Sequence, residues 1–174
     1  MIRMTLDDFS KGSRQVEKFC RECELKFPEE VAKLFIAYTE WIWQYKYVGT
    51  IYQFYCEDTV LHTCDGDSVG VESVIANTLS SIRTFPDQTV NFVDIFAEGN
   101  EEDGYYFGQC TEFKWKCDGW SAYGAPTGKA LDDNGKRVMS MCECRVAKID
   151  GRWRIAEEWL VRSHEAMIRV QLPD

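Results

Sequence analysis

Apolar residues repeat at helical spacing in the first third of the chain. The longest such run begins at Pro28, which suits the first turn of a helix, and is followed by two acids that favour the positive end of the helix dipole. Its apolar face comprises Val31, Leu34, Phe35, Tyr38, Trp41, Ile42 and Tyr45. A second amphipathic helix is predicted from Val71 to Ile82 and ends near Phe85-Pro86, because the residue before a proline avoids helical geometry. A weaker helical pattern covers Ser13 to Leu25.

The remainder of the chain shows the period-two pattern of strands. A short strand is predicted from Thr59 to Thr63, after a short aromatic piece, and four longer strands follow Gln88. These four cover Thr89 to Ala97, Tyr105 to Cys117, Arg137 to Ile149, and Arg152 to Arg162. Asp150-Gly151 predicts a hairpin turn between the last two, and Asp118 to Lys136 predicts a long loop. Helices followed by a curved, mainly antiparallel sheet indicate the α+β class.

Two acidic residues fall on apolar strand faces in this pattern. Alternation places Glu157 with Ile155 and Trp159, and places Asp94 between Phe92 and Phe96. Because burial disfavours a charged carboxylate, such a group would acquire a pKa suited to proton transfer near neutral pH. The alternative is that Glu157 is satisfied by structural partners and that Asp94 lies at a solvated rim.

Composition narrows the range of partners. The 174 residues contain 20 Lys and Arg against 29 Asp and Glu, giving a net charge of -9, so nucleic acid and anionic membranes are excluded as expected partners. Met1 to Ser10 carries two acids and no apolar core of a signal peptide, so the eight cysteines are expected to be reduced and the location cytoplasmic. Cys20 and Cys23 form a CxxC pattern on a predicted helix, which is weak support for a metal or redox site.

Histidine and cysteine supply the other candidate groups. His62 lies on the short strand and could shuttle a proton beside either acid, or could be a satisfied structural residue. Cys117, Cys142 and Cys144 are expected to be small wall residues, because alternation turns Glu143 away from the thiols and an apolar lining raises a thiol pKa. No metal site and no cofactor are therefore predicted.

A set of short motifs occurs in a characteristic order. It comprises Phe85-Pro86-Asp87, Asp94 to Gly99, Gly124 to Lys129, Asp150-Gly151 and Glu157-Glu158-Trp159. In this order and spacing the chain resembles the SnoaL-like polyketide cyclase branch of the nuclear transport factor 2-like superfamily, from about Pro28 to Leu172. The resemblance implies a cone-shaped α+β barrel, with about three N-terminal helices on a strongly curved sheet, a deep apolar cavity and a homodimer. Residues 1–27 would then be a partly helical N-terminal extension and residues 28–174 the domain.

The chain departs from this family at two functional positions. The acid that the family's cyclases carry before the Asp-Gly hairpin falls at Cys144, and the family's histidine falls at Cys117 or Asp118. Glu157, Asp94 and His62 therefore become the candidate catalytic residues. The candidate substrate-binding residues are Trp41, Tyr45, Phe113, Trp115, Cys117, Cys144 and Trp159.

Two functions follow from these observations. The first is binding of a small hydrophobic molecule followed by cofactor-independent acid/base chemistry, namely cyclisation, isomerisation or dehydration. The second is a non-catalytic ligand-binding or protein-interaction module of the same fold, which the absence of the family's usual residues favours.

Overall fold

The computed structural model describes Arg14, Lys18 and residues 25–131 and 138–174. Most of the predicted helix from Ser13 to Leu25, including Cys20 and Cys23, lies outside the described residues. The division of the chain at Pro28 stays a prediction.

The two predicted amphipathic helices are present. Helix α1 spans Pro28–Trp43, and the carboxylate of Glu30 accepts hydrogen bonds from the backbone N–H groups of Lys26 and Phe27 at its start. A 3-10 turn, Val48–Thr50, leads into the one-turn helix α2, Ile51–Phe54, and the second long helix is α3, Val71–Thr84. A further helix, α4, His164–Gln171, follows the last strand and was not predicted. Its buried residue Val170 lies near Ala166 and Met167, at helical spacing.

In the part of the chain that the structure describes, six strands form one mainly antiparallel sheet. They are β1 Val60–Thr63, β2 Gly66–Val69, β3 Asn91–Asn100, β4 Gly104–Phe113, β5 Val138–Ile149 and β6 Arg152–Arg162. Their order is β2-β1-β6-β5-β4-β3, and the β1–β6 pair alone is parallel. The predicted α+β class is confirmed. Among the described residues, β2 and β3 are the edge strands of the sheet, so it is open there rather than closed into a barrel.

The hairpin between β5 and β6 has the predicted turn. Asp150 and Gly151 both have positive φ values, 51° and 74°. This backbone matches a type I′ turn, whose twist agrees with that of the flanking strands. The turn fixes the register in which β5 pairs with β6, and so fixes which side chains of β6 face the helices.

Hydrophobic packing joins the helices to one face of the sheet. Helix α1 lies over β3 and β4, where Phe35 stacks on Phe107 with ring centroids 5.2 Å apart. A second cluster packs below α4 around Phe113, Trp115 and Val170. We call the helix-covered face of the sheet the inner face and the opposite face the outer face.

Two irregularities change the alternation of the sheet. In β6, Ile155 pairs with Val146 and Glu157 pairs with Arg145, so Ala156 is an extra, bulged residue. In β3, Phe92 pairs with Thr111 and Asp94 pairs with Cys110, so a bulge occurs there as well. Each bulge reverses the face of the residues beyond it, relative to a regular strand.

Candidate functional site

A cavity of about 440 Å³ lies between the helices and the inner face of the sheet. Its walls come from α1, α2, α3 and α4 and from strands β1, β2, β4, β5 and β6. The predicted inner faces of β4 and β5 are confirmed, because Phe107, Gln109, Ser140 and Cys142 all line the cavity. A volume of this size is within the range of small-molecule sites.

The bulge in β6 decides which acid enters the cavity. Glu158 pairs with Leu61, which is buried and lines the cavity, so both side chains point inward. Only 8% of Glu158 is exposed, and it is the acidic residue that is buried in the described part of the chain. In a regular strand, Glu157 would be the next residue after Ile155 to point inward. Because Ala156 is an extra residue, Glu158 points inward in its place.

Neutral donors hold the Glu158 carboxylate. The Tyr55 hydroxyl donates to Oε2 at 2.5 Å, and the Cys142 thiol donates to Oε1 at 3.4 Å. Tyr38 lies beside Tyr55, with ring centroids 6.3 Å apart. The arrangement is a short chain of polar groups enclosed by aromatic rings.

Burial keeps both tyrosines in their neutral form. Desolvation, and next the nearby Glu158 carboxylate, raise the pKa of Tyr55 and of Tyr38 well above the ordinary value. Each phenol therefore remains a hydrogen-bond donor at neutral pH. A neutral donor beside a carboxylate is an arrangement suited to general acid/base chemistry.

Two cysteines adjoin the carboxylate on β5. The Sγ atoms of Cys142 and Cys144 are 3.8 Å apart. A hydrogen bond with Cys142, then burial, raise the pKa of Cys144 well above its usual value; for Cys142 the bond with Cys144 lowers the pKa, but burial and Glu158 raise it overall. One ligand atom from each of Cys142, Cys144 and Glu158 lies within 4.8 Å of the others, close enough for a shared metal ion. Cys142 also forms hydrogen bonds with both Cys144 and Glu158.

Three of the predicted substrate-binding residues line the cavity: Phe113, Trp115 and Cys144. Trp41 does not, because it is fully buried on another side of α1, where its ring stacks on Tyr47. Tyr45 lies beyond the end of α1 and also does not line the cavity. Cys117 lies beyond the end of β4, in the cluster below α4.

Three predicted residues meet on the outer face instead. Glu157 accepts a hydrogen bond from Arg145 Nε at 3.2 Å and lies 3.2 Å from His62 Nε2, whose Nδ1 is 2.9 Å from Asp67. The His62 ring stacks on Trp159, with centroids 5.4 Å apart. The prediction that Glu157 and Trp159 share the inner face with Ile155 is wrong, because the bulge at Ala156 turns them outward. His62 also lies on the outer face, because it pairs with Trp159 across β1 and β6.

These outer contacts shift two pKa values. Hydrogen bonds to the carboxylates of Asp67 and then Glu157 raise the pKa of His62 above its ordinary value. The pKa of Glu157 is lowered, chiefly by the hydrogen bond with His62; desolvation opposes this effect, and the hydrogen bond with Arg145 lowers the pKa further. The group is therefore an ion-pair network at the surface, and not an acid in an apolar wall.

Asp94 also lies outside the cavity. It is exposed, and its Oδ1 accepts the backbone N–H of Ile95 at 2.9 Å. The bulge between Phe92 and Asp94 interrupts the alternation on which its predicted inward position depended. Asp94 is therefore a solvated residue, as the second alternative predicted, and not an acid on the inner face.

The sequence gives only a partial indication of which residues form the site. Tyr38 and Tyr55 occur in the predicted helical and aromatic segments, but nothing marked them as polar partners. In β6, Ile155 and Leu160 are both aliphatic but an odd number of residues apart, so a regular strand could not place both inside. Val161 lies at an even spacing from Ile155 and fits a regular strand equally well, so the sequence of β6 does not decide between Glu157 and Glu158.

No family model and no curated protein sequence matches the chain. Solved structures do match in fold. A candidate SnoaL-like polyketide cyclase from Jannaschia sp. CCS1 is 14% identical with a TM-score of 0.57, over 74% of this chain and 81% of that one. Nuclear transport factor 2 from Cryptosporidium parvum is 9% identical with a TM-score of 0.55, over 80% and 100% of the two chains. The chain has the nuclear transport factor 2-like fold.

A third match extends the set of structures with this fold. IdmH from Streptomyces antibioticus, a candidate polyketide cyclase, is 19% identical with a TM-score of 0.55, over 80% of this chain and 94% of that one. The resemblance to the nuclear transport factor 2-like superfamily is confirmed at the level of fold, with SnoaL-like proteins among the structural neighbours. This fold supports several chemistries, so the function has to be argued from the cavity.

None of the helices in residues 25–131 and 138–174 is both long and apolar enough to span a membrane.

Proposed function

We propose that the chain binds a small, mainly hydrophobic molecule in the cavity and catalyses proton transfer on it with Glu158 as the base. The observation that carries the proposal is the buried Glu158 carboxylate, which lines the cavity and is held by a phenol and a thiol. The lining mixes aromatic and aliphatic side chains with these polar groups, as is typical of sites that orient an apolar ligand.

The contacts of Glu158 suit abstraction of a proton from carbon. The carboxylate takes a proton from the carbon next to a carbonyl group, and the electron pair moves to the carbonyl oxygen to give an enolate. Tyr55, whose neutral phenol is released from Oε2 when Glu158 is protonated, then donates a hydrogen bond to the enolate oxygen. Return of the proton to another position, or attack of the enolate carbon on a second carbonyl, completes an isomerisation or a cyclisation.

The structural neighbours support carbonyl compounds as the substrate class. Two of them are candidate polyketide cyclases. Enolate formation is a first step that cyclisation and isomerisation share, and it can also begin a dehydration. The proposal therefore specifies the proton-transfer step. Which reaction follows, cyclisation, isomerisation or dehydration, depends on the structure of the substrate.

The experiment follows hydrogen exchange of 2-tetralone in D₂O by NMR, since its acidic C–H groups adjoin a carbonyl on an apolar bicycle. We expect the wild type to accelerate the exchange and Glu158→Gln to lower the catalysed rate by about 10²-fold or more. The matched control is Glu157→Gln, which makes the same change one residue away on the outer face. It should retain the wild-type rate.

Two results would contradict the proposal. Either Glu158→Gln retains the wild-type exchange rate, or Glu157→Gln loses as much activity as Glu158→Gln while both variants remain folded by circular dichroism. The second result would mean that the carboxylates act through the stability of β6.

A non-catalytic binding module is the second candidate function. The observation that favours it is that both oxygens of Glu158 already accept a hydrogen bond, from Tyr55 and Cys142. Under this hypothesis the polar chain is structural, and the wild type binds 2-tetralone without accelerating its exchange. The exchange assay, run beside a binding titration, separates the two functions.

We also propose that two copies associate through the outer face of the sheet, in a reducing cytoplasmic location. Met141 and Val161 lie opposite each other on β5 and β6, with exposed fractions of 58% and 63%. The Phe96 ring lies over Gly108 on the same face, so closely that a Cβ on that glycine would be 2.1 Å from the ring. The six cysteines of the described segments are free thiols, which agrees with a reducing compartment.

A further inference from the structure

Arg162 is the last residue of β6 and lines the cavity on the same side as Glu158 and Leu160. Its Nε is buried and has no hydrogen-bond partner within the described residues. Desolvation lowers the pKa of Arg162, and Glu158 opposes that effect. Leaving a buried donor unpaired is unfavourable, so an unpaired guanidinium donor in a cavity wall indicates a missing acceptor.

The acidic groups around Arg162 are occupied elsewhere. Glu158 accepts from Tyr55 and Cys142, and Asp65 is 3.3 Å from His164 Nε2. Cys64 donates to the backbone carbonyl of Arg162 and not to its side chain. The guanidinium therefore lies near Glu158 and Asp65, but its Nε donor has no partner within the described residues.

Two other cavity-lining side chains have buried polar atoms without partners among the described residues. They are Oε1 of Gln109 on β4 and Oγ of Ser68 on β2. Unlike Arg162, these groups are uncharged, and Gln109 Oε1 is an acceptor. The cavity thus offers a charged donor at the end of β6 and further polar contacts on other strands, which suits an elongated ligand with one acidic end.

We infer that the ligand of this cavity carries a carboxylate, which Arg162 binds while the apolar part of the ligand lies against the aromatic wall beside Glu158. The planar guanidinium fork matches a carboxylate in geometry and pairs with it through two parallel hydrogen bonds. A phosphate is less suitable, because its second negative charge would face Glu158 with a single arginine to balance it. This inference rests on the proposed binding function and adds the substrate class: small carboxylic acids with an apolar ring.

The test compares each of two acids with its neutral amide: 2-naphthoate with 2-naphthamide, and benzoate with benzamide. Binding to the full chain is measured by calorimetry for the wild type and for Arg162→Gln. We expect the wild type to bind at least one of the acids about tenfold or more tightly than its amide. Arg162→Gln should lose this preference while its affinity for the amide stays unchanged.

Control variants separate charge from folding. Arg145→Gln removes an arginine on the outer face, which pairs with Glu157, and should leave the preference for the acid intact. If Arg162→Gln does not fold, Arg162→Lys retains the charge without the planar fork and should show a reduced preference.

The outcomes distinguish this inference from the proposed function. Equal binding of acid and amide by the wild type, or an acid preference that survives Arg162→Gln, overturns the assignment of Arg162 and leaves the cavity as a binding site. Absence of binding for all four compounds overturns both.

Discussion

Glu157 and Glu158 are neighbours in sequence but point to opposite faces of the sheet. Glu157 pairs with Arg145 and His62 on the outer face, whereas Glu158 contacts Tyr55 and Cys142 inside the cavity. The same type of side chain is thus an ion-pair partner in one position and a buried carboxylate in the next. This difference provides a matched pair of positions for testing what burial does to a carboxylate in this protein.

Tyr55→Phe should reduce the catalysed exchange of 2-tetralone by about 10–100-fold, because it removes the phenol that donates to Glu158 and would donate to the enolate. Exchange is measured by NMR in D₂O. Tyr52→Phe is the control, since Tyr52 lies in α2, just before Tyr55, but is exposed, and its hydroxyl donates to Glu72. A Tyr55→Phe variant as active as Tyr52→Phe would show that the phenol has no part in the reaction.

Much of the fold follows from patterns that are local in the sequence. The period of α1 and α3, the Asp150-Gly151 turn and the inner faces of β4 and β5 are all where the apolar pattern places them. The apolar pattern does not predict the polar edge strand β2, because Gly66-Asp67-Ser68 lacks an apolar face. Its pairing with β1 depends on a tight turn at residues 64–65 and not on burial.

The site was harder to predict, because it depends on one extra residue. Two-residue alternation assigns every side chain of β6 correctly up to Ile155 and incorrectly after Ala156. A bulge is a property of the pairing between β5 and β6, so the composition of β6 alone gives little indication of it. The tyrosines that complete the site come from α1 and from the residue after α2, far from Glu158 in sequence.

Alkaline pH should destabilise the protein through Tyr38 and Tyr55. Their pKa values in the folded state are raised well above 10.0, so the unfolded chain releases these protons first. The stabilisation is therefore fully present below about pH 10 and is lost as the pH rises further, by about 1.4 kcal/mol per pH unit for each tyrosine. The free energy of unfolding is measured by urea denaturation from pH 8 to pH 11 with a reductant present.

The double variant Tyr38→Phe/Tyr55→Phe isolates this contribution. It should be less sensitive than the wild type to the rise above pH 10, so the difference in free energy of unfolding between the two proteins should shrink. Parallel pH profiles would mean that the two phenols ionise equally easily in the folded and unfolded chains.

His62 should stabilise the fold more at acidic than at alkaline pH. Asp67 and Glu157 raise its pKa, so its contribution is fully present below its unfolded value of about 6.5 and is lost as the pH rises through the higher folded value. We expect His62→Gln to lower the free energy of unfolding more at pH 5.5 than at pH 8.5. Asp67→Asn, which removes the partner with the largest effect, should weaken this pH dependence. An equal effect of His62→Gln at both pH values would contradict the assignment.

The outer face should lose its ability to self-associate when it becomes charged. Met141 and Val161 are directly opposed across β5 and β6, so Met141→Lys/Val161→Lys places two like charges side by side in the proposed interface. Light scattering after size exclusion should give a dimer for the wild type and the 20.2 kDa monomer for this variant. Leu79→Lys is the control, because Leu79 is 51% exposed on α3, away from the sheet. This variant should remain dimeric. A wild type that is monomeric at micromolar concentration, or a double variant that is still dimeric, would show that the outer face is not the interface.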